Sequence, residues 1–264
     1  MIEAPEQVPI ERLLPHRPPM LAVERLLSFS AQSFRAAVTL RPGTPCFEDG
    51  RFRPIFCLEV MAQAVGAGIA YGAAAAGEPR DTAGFVVGVG QLRLSPCDRV
   101  LPGNELIVES QLEVEVPPAA EHAVRLLAGR EELARATLRL LVGGARPPTA
   151  ATLEAFGGFQ ASRVERDGER FAITVGSGHP YLAGHFPGAP VLPAVGQLRF
   201  VEHAAGLSLS RPCELASVER ARFFQPVVPG VPVELSLDLA GEPDLSWSMR
   251  SSGRPVARGS GRLR

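Results

Sequence analysis

Apolar and polar positions alternate along MLAVERLLSFS and SFRAAVTLR, two runs joined by a short polar turn, and this predicts a pair of strands near the N-terminus. A loop, PGTPCFEDGRFRP, follows. The period then changes. In IFCLEVMAQAVGAGIAYGAAAA, Leu58, Met61, Ala62 and Val65 fall on one helical stripe, and Pro54 suits a first helical turn. This helix is apolar nearly all round, as expected of an element buried on every side. Four more strand-like runs come after it: GFVVGVGQLRLS, ELIVESQLEVEV, HAVRLLAG and LARATLRLLV.

The order then repeats. GFQASRVER and RFAITVGS predict two strands meeting at Asp167-Gly168, a hairpin turn signal. The loop GHPYLAGHFPGAPVLP leads into an apolar helix, AVGQLRFVEHAAGL, and a second set of strand-like runs follows. Between the halves lies a stretch rich in Gly, Pro, Ala and Thr, read as a linker over residues 144–157 joining a unit over 1–143 to one over 158–264. Two strands, one helix, then a run of strands, done twice, predicts a duplicated α+β unit. A sheet curved around one long apolar helix is the hot-dog arrangement, so the expected fold is a tandem, or double, hot-dog. Pairing of the two units closes the edge and the helix flank that one unit leaves open.

Composition narrows the function. Basic and acidic side chains nearly balance, 27 against 28, with no basic block, which argues against nucleic acid as a partner. Every basic residue is arginine; the absence of lysine excludes a Schiff-base or P-loop lysine. Cys46, Cys57, Cys97 and Cys213 form no C-x-x-C pair or Cys/His cluster, so no metal site is expected, and scattered thiols suit a reduced, cytoplasmic setting. The N-terminus has no secretory core, and VGAGIAYGAAAAG is too short and too rich in Gly and Ala for a membrane span.

Three segments carry a family resemblance. GHFPGAPVLPAV looks like the signature of the bacterial 3-hydroxyacyl-acyl-carrier-protein dehydratases, in which a histidine precedes Phe-Pro-Gly ahead of the central helix. LEVMAQAVG resembles that family's acid-bearing helix, and LLPHRPPMLAVERL its opening Pro-His-Arg segment. The chain is most similar to the paired dehydratases of aryl-polyene biosynthesis, fused into one. The resemblance implies a shared active site, with the histidine from one unit and the carboxylate from the other. Residue by residue, the C-terminal half supplies His185 but has Arg199 at the acid position fourteen residues on. The N-terminal half supplies Glu59, followed by Met61-Ala62-Gln63, but has no histidine between His16 and His122. Each half keeps what the other lost, so one composite site is expected, with His185 beside Glu59 and a degenerate second site near Arg199.

In the reaction so implied, His185 removes a proton from C2 and Glu59 protonates the departing C3 hydroxyl. Burial is expected to raise the Glu59 pKa and keep it protonated. Gln63, Phe186, Gly188 and Ala194 are the expected substrate contacts. Backbone amides near Gly188 and Ala194, or near Phe56 and Cys57, are the alternatives for holding the thioester oxygen. His16, Arg17, His179 and Arg199 are read as structural. No cofactor is required. The expected partner is an acyl carrier protein bearing the substrate, and further assembly, as a dimer or with another pathway protein, stays open. Two alternatives remain at this point: a hot-dog thioesterase in which Glu59 activates water, and a non-catalytic acyl-binding or dehydratase-partner subunit.

Overall fold

The computed structural model describes residues 3–77, 84–97, 100–141, 163–167 and 170–264. The first half runs β1 (Val23–Phe29), β2 (Ser33–Thr39), a small hairpin of β3 (Phe47–Glu48) and β4 (Arg51–Phe52), helix α1 (Cys57–Ala75), then β5 (Phe85–Leu94), β6 (Glu105–Val116), β7 (Ala119–Ala128) and β8 (Glu131–Leu141). The second half runs β9 (Arg163–Asp167), β10 (Arg170–Thr174), helix α2 (Ala194–Leu209), β11 (Leu215–Phe223), β12 (Pro232–Asp238), β13 (Asp244–Ser251) and β14 (Arg254–Leu263). The expected strand–strand–helix–strands order is present in both halves. Arg170 pairs with Asp167, leaving two residues between the strands. Gly168, one of those two, lies outside the described residues, as does the linker at 144–157.

All the long strands form one 12-stranded antiparallel sheet in the order β1-β2-β6-β7-β8-β5-β11-β14-β13-β12-β10-β9. Read from its two ends, this order is the same for both halves, and the equivalent strands β5 and β11 meet in the middle. Their register, Arg222 opposite Gly88 and Ser217 opposite Arg93, makes the seam continuous backbone pairing. A side-chain ion pair, Arg93 Nη1 to Glu219 Oε1 at 2.7 Å, spans the same seam. Strand sequences explain the sheet's two faces. β13 and β12 alternate buried and exposed positions almost strictly, so one face meets the core and the other meets water.

The two helices lie against the buried face and touch one another. α1 begins from a 3₁₀ turn at Pro54–Phe56, where proline's missing N–H costs nothing, and buries Glu59 and Gln63 among apolar neighbours. It approaches the sheet closely: a Cβ at Gly68 would stand 2.5 Å from the Phe34 ring, so glycine is what lets helix and strand meet there. Pro54–Ala75 is the one helix among the described residues long and apolar enough to cross a membrane, and most of it is buried inside the sheet's curve. The four cysteines are free and buried.

Candidate active site

The loop before α2 is built to aim His185. The His179 ring caps a 3₁₀ turn at Pro180–Leu182 by accepting the Tyr181 N–H at 3.2 Å. Gly184 follows with φ +80, and its carbonyl accepts the Arg17 N–H at 2.8 Å. A Cβ there would overlap the Arg17 carbonyl oxygen, so glycine is needed for the N-terminal Pro-His-Arg segment to lie on this loop. His185 comes next, its Nδ1 2.7 Å from the Val191 carbonyl oxygen. A carbonyl only accepts, so Nδ1 carries the hydrogen and Nε2 is left with its lone pair.

Glu59 enters from the other half, in the first turn of α1. Gln63, one turn on, donates from Nε2 to Glu59 Oε1 at 2.8 Å and to the Met20 carbonyl at 3.0 Å, and its Oε1 accepts the Ala22 N–H at 2.9 Å. Both amide hydrogens and the amide oxygen are thus committed to fixing the carboxylate. His16 supplies a third group, with Nε2 3.4 Å from Glu59 Oε1. One polar side-chain atom from each of His16, Glu59 and His185 lies within 4.8 Å of the others, and the two imidazole centroids are 5.1 Å apart. Among the described residues these three are also the one group close enough together to share a cation.

Electrostatics correct one expectation. Burial pushes the Glu59 carboxyl up, as anticipated, but the His16 hydrogen bond, the charges on His185 and His16, and the Gln63 amide outweigh it and lower the pKa to about 2. Burial dominates at His185 and lowers it to about 4, although the Glu59 carboxylate pulls it upward. At neutral pH the site therefore holds an ionised Glu59 facing a neutral His185. Once that ring is neutral its charge no longer acts, so the His16 and Gln63 contacts are what hold Glu59 down.

A cavity of about 430 Å³ opens from these groups. Its walls are mostly apolar, including Leu58, Ala62, Phe85, Leu140 and Phe223, and Phe186 and Gln63 also line it. Ala194 lines it too, at the start of α2. Gly188 does not. It is exposed, at φ +82, in a turn closed by the Ala189 N–H on the Phe186 carbonyl, and this corrects the expectation that it touches substrate. Phe56 and Cys57 are likewise absent from the walls. Two wall residues go beyond what their sequence context indicates. His16, expected to be structural, stands beside both Glu59 and His185. Gln197 is one of several polar residues in α2, with Arg199, Glu202 and His203, and nothing in the sequence sets it apart.

The matching place in the other half is filled. Arg199, at the acid position of α2, donates from Nε to Glu48 Oε1 at 2.9 Å and from Nη1 to Glu202 Oε2 at 3.1 Å. Glu48 comes from the N-terminal loop and is also held by Arg53 at 3.0 Å, while Glu202 accepts the Leu215 N–H at 2.8 Å. The loop side carries the acid here and the helix side the base, the reverse of the His185–Glu59 arrangement.

The family model for the ApeP dehydratase matches residues 8–148, and the one for the ApeI dehydratase matches residues 161–260. The chain belongs to the ApeP-like dehydratase family. Its similarity extends to 3-hydroxyacyl-acyl-carrier-protein dehydratase FabZ of Thermus thermophilus, at 36% identity over 143 residues, covering 52% of this chain and 96% of that protein. Among solved structures, the 12:0-ACP thioesterase from Umbellularia californica matches with a TM-score of 0.56 at 11% identity, over 90% of this chain and 99% of that one. A dehydratase structure from work on the borrelidin and fluvirucin polyketide synthases matches with a TM-score of 0.52 at 15% identity, over 92% and 93%. At these identities the structural likeness is one of fold, and the fold shared is the double hot-dog. Two dehydratase families in tandem make this chain a hot-dog dehydratase of the kind that FabZ and the aryl-polyene dehydratases represent.

Proposed function

We propose that this chain converts a 3-hydroxyacyl thioester, carried on an acyl carrier protein, into the trans-2-enoyl thioester at one composite site in the cytoplasm. Residues 1–143 supply the acid helix, residues 158–264 supply the histidine loop, and residues 144–157 join them. The observation that carries this reading is the meeting of His185 and Glu59, from opposite halves, within 4.8 Å at an apolar cavity.

His185 Nε2 takes the C2 proton, and the electron pair released forms the C2–C3 double bond as the C3–O bond breaks. The leaving hydroxide takes a proton from Glu59 and departs as water. Glu59 is ionised before the substrate binds, so the proton it delivers is the one His185 has taken from C2, passed between two side chains that lie within 4.8 Å of one another. His185 is then neutral and Glu59 ionised again, with one water lost overall. The negative charge that grows on the thioester oxygen faces the free N–H groups of the first turn of α2, beside Ala194. His185 and Glu59 are the catalytic residues; Gln63 positions Glu59, and Phe186 and Ala194 contact the substrate.

The test is incubation with a 3-hydroxyacyl carrier-protein thioester, following enoyl formation by ultraviolet absorbance and intact mass. Loss of one water supports the reading; free acid plus free thiol would mean a thioesterase instead. His185→Ala and Glu59→Gln should each lower the rate by about 10²–10⁴-fold with the fold retained.

A further inference from the structure

The cavity walls carry few polar side chains, and nearly all are accounted for. His16, Glu59 and His185 face one another. Gln63 is fully hydrogen-bonded within the protein. Gln225 donates to the Pro255 carbonyl at 2.8 Å. Gln197 is different: it is 4% exposed, lines the cavity, and its Oε1 is buried with no hydrogen-bond partner. A buried acceptor without a donor is costly, and a ligand that brings an N–H or O–H removes that cost.

Its place in the fold indicates which part of a ligand it meets. Gln197 sits one turn into α2, just past Ala194, and Leu192 ahead of the helix pairs with Val227 through the Leu192 N–H and the Val227 carbonyl at 2.8 Å. That bridge ties the helix start to the segment bearing Phe224 and Pro226, which line the cavity and are exposed, so they form its rim. The apolar wall at Leu58, Ala62 and Leu140 lies on the other half, where an acyl tail finds cover. A thioester with its carbonyl at the α2 start and its tail on that wall leaves its thiol-side arm running past Gln197 to the rim. The first hydrogen-bond donor on a pantetheine-type arm is the amide N–H two carbons from sulfur.

We propose that Gln197 is a specificity-determining residue whose side-chain oxygen accepts the arm amide N–H of the thioester. The proposal rests on the dehydratase reading above and adds the recognition of the thiol-side arm. Gln197 takes no part in proton transfer.

The experiment compares two short 3-hydroxyacyl thioesters that differ at one atom: the N-acetylcysteamine thioester, and its analogue in which the arm amide N–H is replaced by an ester oxygen. The wild-type chain should prefer the amide by about ten-fold in kcat/KM, the size expected when a buried acceptor loses its donor. Gln197→Leu and Gln197→Met should turn over the ester analogue as well as wild type does and show a preference close to one. Turnover of the ester analogue confirms that each variant is folded. A wild-type preference near one, or a preference unchanged in both variants, overturns the proposal. Absence of enoyl product from both thioesters with the wild-type chain would instead defeat the dehydratase reading.

Discussion

His16 Nε2 stands 3.4 Å from Glu59 Oε1, and both side chains are buried. His16 reaches that position because its neighbour Arg17 is hydrogen-bonded through its backbone to Gly184 of the histidine loop. The N-terminal segment therefore touches both halves of the site at once: the loop through Arg17 and the acid helix through His16. Glu59 is pinned between His16 and Gln63, and these two contacts make it an anion despite its burial.

If the His16 contact holds Glu59 in place as it relays the proton, removing that ring should impair chemistry more than binding. His16→Ala is expected to lower kcat by roughly 10- to 100-fold while KM changes by less than about three-fold. His16→Gln retains a hydrogen-bond donor to the carboxylate and should recover most of the rate that the alanine variant loses. Added imidazole should restore part of the alanine variant's rate. Steady-state kinetics on the three proteins checks this, and a His16→Gln as slow as the alanine variant would mean that a hydrogen bond to Glu59 is not what His16 contributes.

The pH profile should carry the mark of a buried base. His185 acts as a base only when neutral, so activity is present above its pKa and lost as the pH falls through it. Burial lowers that pKa to about 4, from the ordinary histidine value near 6.5. The acid limb of kcat/KM, which reports the free protein, should therefore fall near pH 4 and leave the profile level through pH 6. A limb near pH 6.5 would mean that His185 is solvated in the working protein.

Most of the architecture is legible in the sequence because it rests on local patterning. Period-two alternation in RFAIT or LSWSMR and the apolar helix around Met61 are properties of neighbouring residues, and the structure places strands and a buried helix there. The His185–Glu59 pairing is also legible, since each half lacks one member. What stays hidden depends on residues brought together from afar. The apolar helix around Glu59 predicts a raised pKa on its own; the group that reverses it, His16, arrives from another segment. Gln197 resembles a packing residue in sequence because an unmatched acceptor is defined by what surrounds it in space. Gly188 shares the loop with His185 but turns to solvent, a difference of backbone direction that residue type does not encode.

Arg199 should matter for stability and not for turnover. Its guanidinium holds Glu48 and Glu202, and Glu202 is already pushed up to about 7, first by burial. Arg199→Ala leaves the buried Glu202 without its cation and takes from the half-buried Glu48 one of its two, a loss of about 3 kcal/mol by analogy with broken buried ion pairs. For a chain of this size that corresponds to a fall in Tm of roughly 6–12 °C. Below the melting transition kcat/KM should stay within about three-fold of wild type. Adding Glu202→Gln should recover part of the lost stability, because it removes the stranded buried charge and keeps an oxygen to accept the Leu215 N–H. Thermal melts and kinetics on the same preparations check both halves of this expectation. Activity lost as fully as in His185→Ala would mean that the Arg199 side takes part in catalysis.

Gly184→Ala should separate the seating of the N-terminal segment from the strength of the fold. At φ +80 an alanine is strained, which costs on the order of 1–3 kcal/mol. Its Cβ would also overlap the Arg17 carbonyl oxygen, so the Pro-His-Arg segment must lift off the loop. His16 would then leave Glu59, and His185, the residue next to Gly184, would lose its register with Val191. Gly253 in the β13–β14 turn is the control. Its φ is +75 and a Cβ added there would meet nothing within 4 Å, so Gly253→Ala bears the backbone strain alone. Both variants should lose stability, but only Gly184→Ala should lose activity, by about 100-fold or more, since small displacements of catalytic groups are that costly. Comparing kcat/KM of the two variants well below their melting temperatures checks this. Equal activities would show that the contact between Arg17 and Gly184 does not hold the site together.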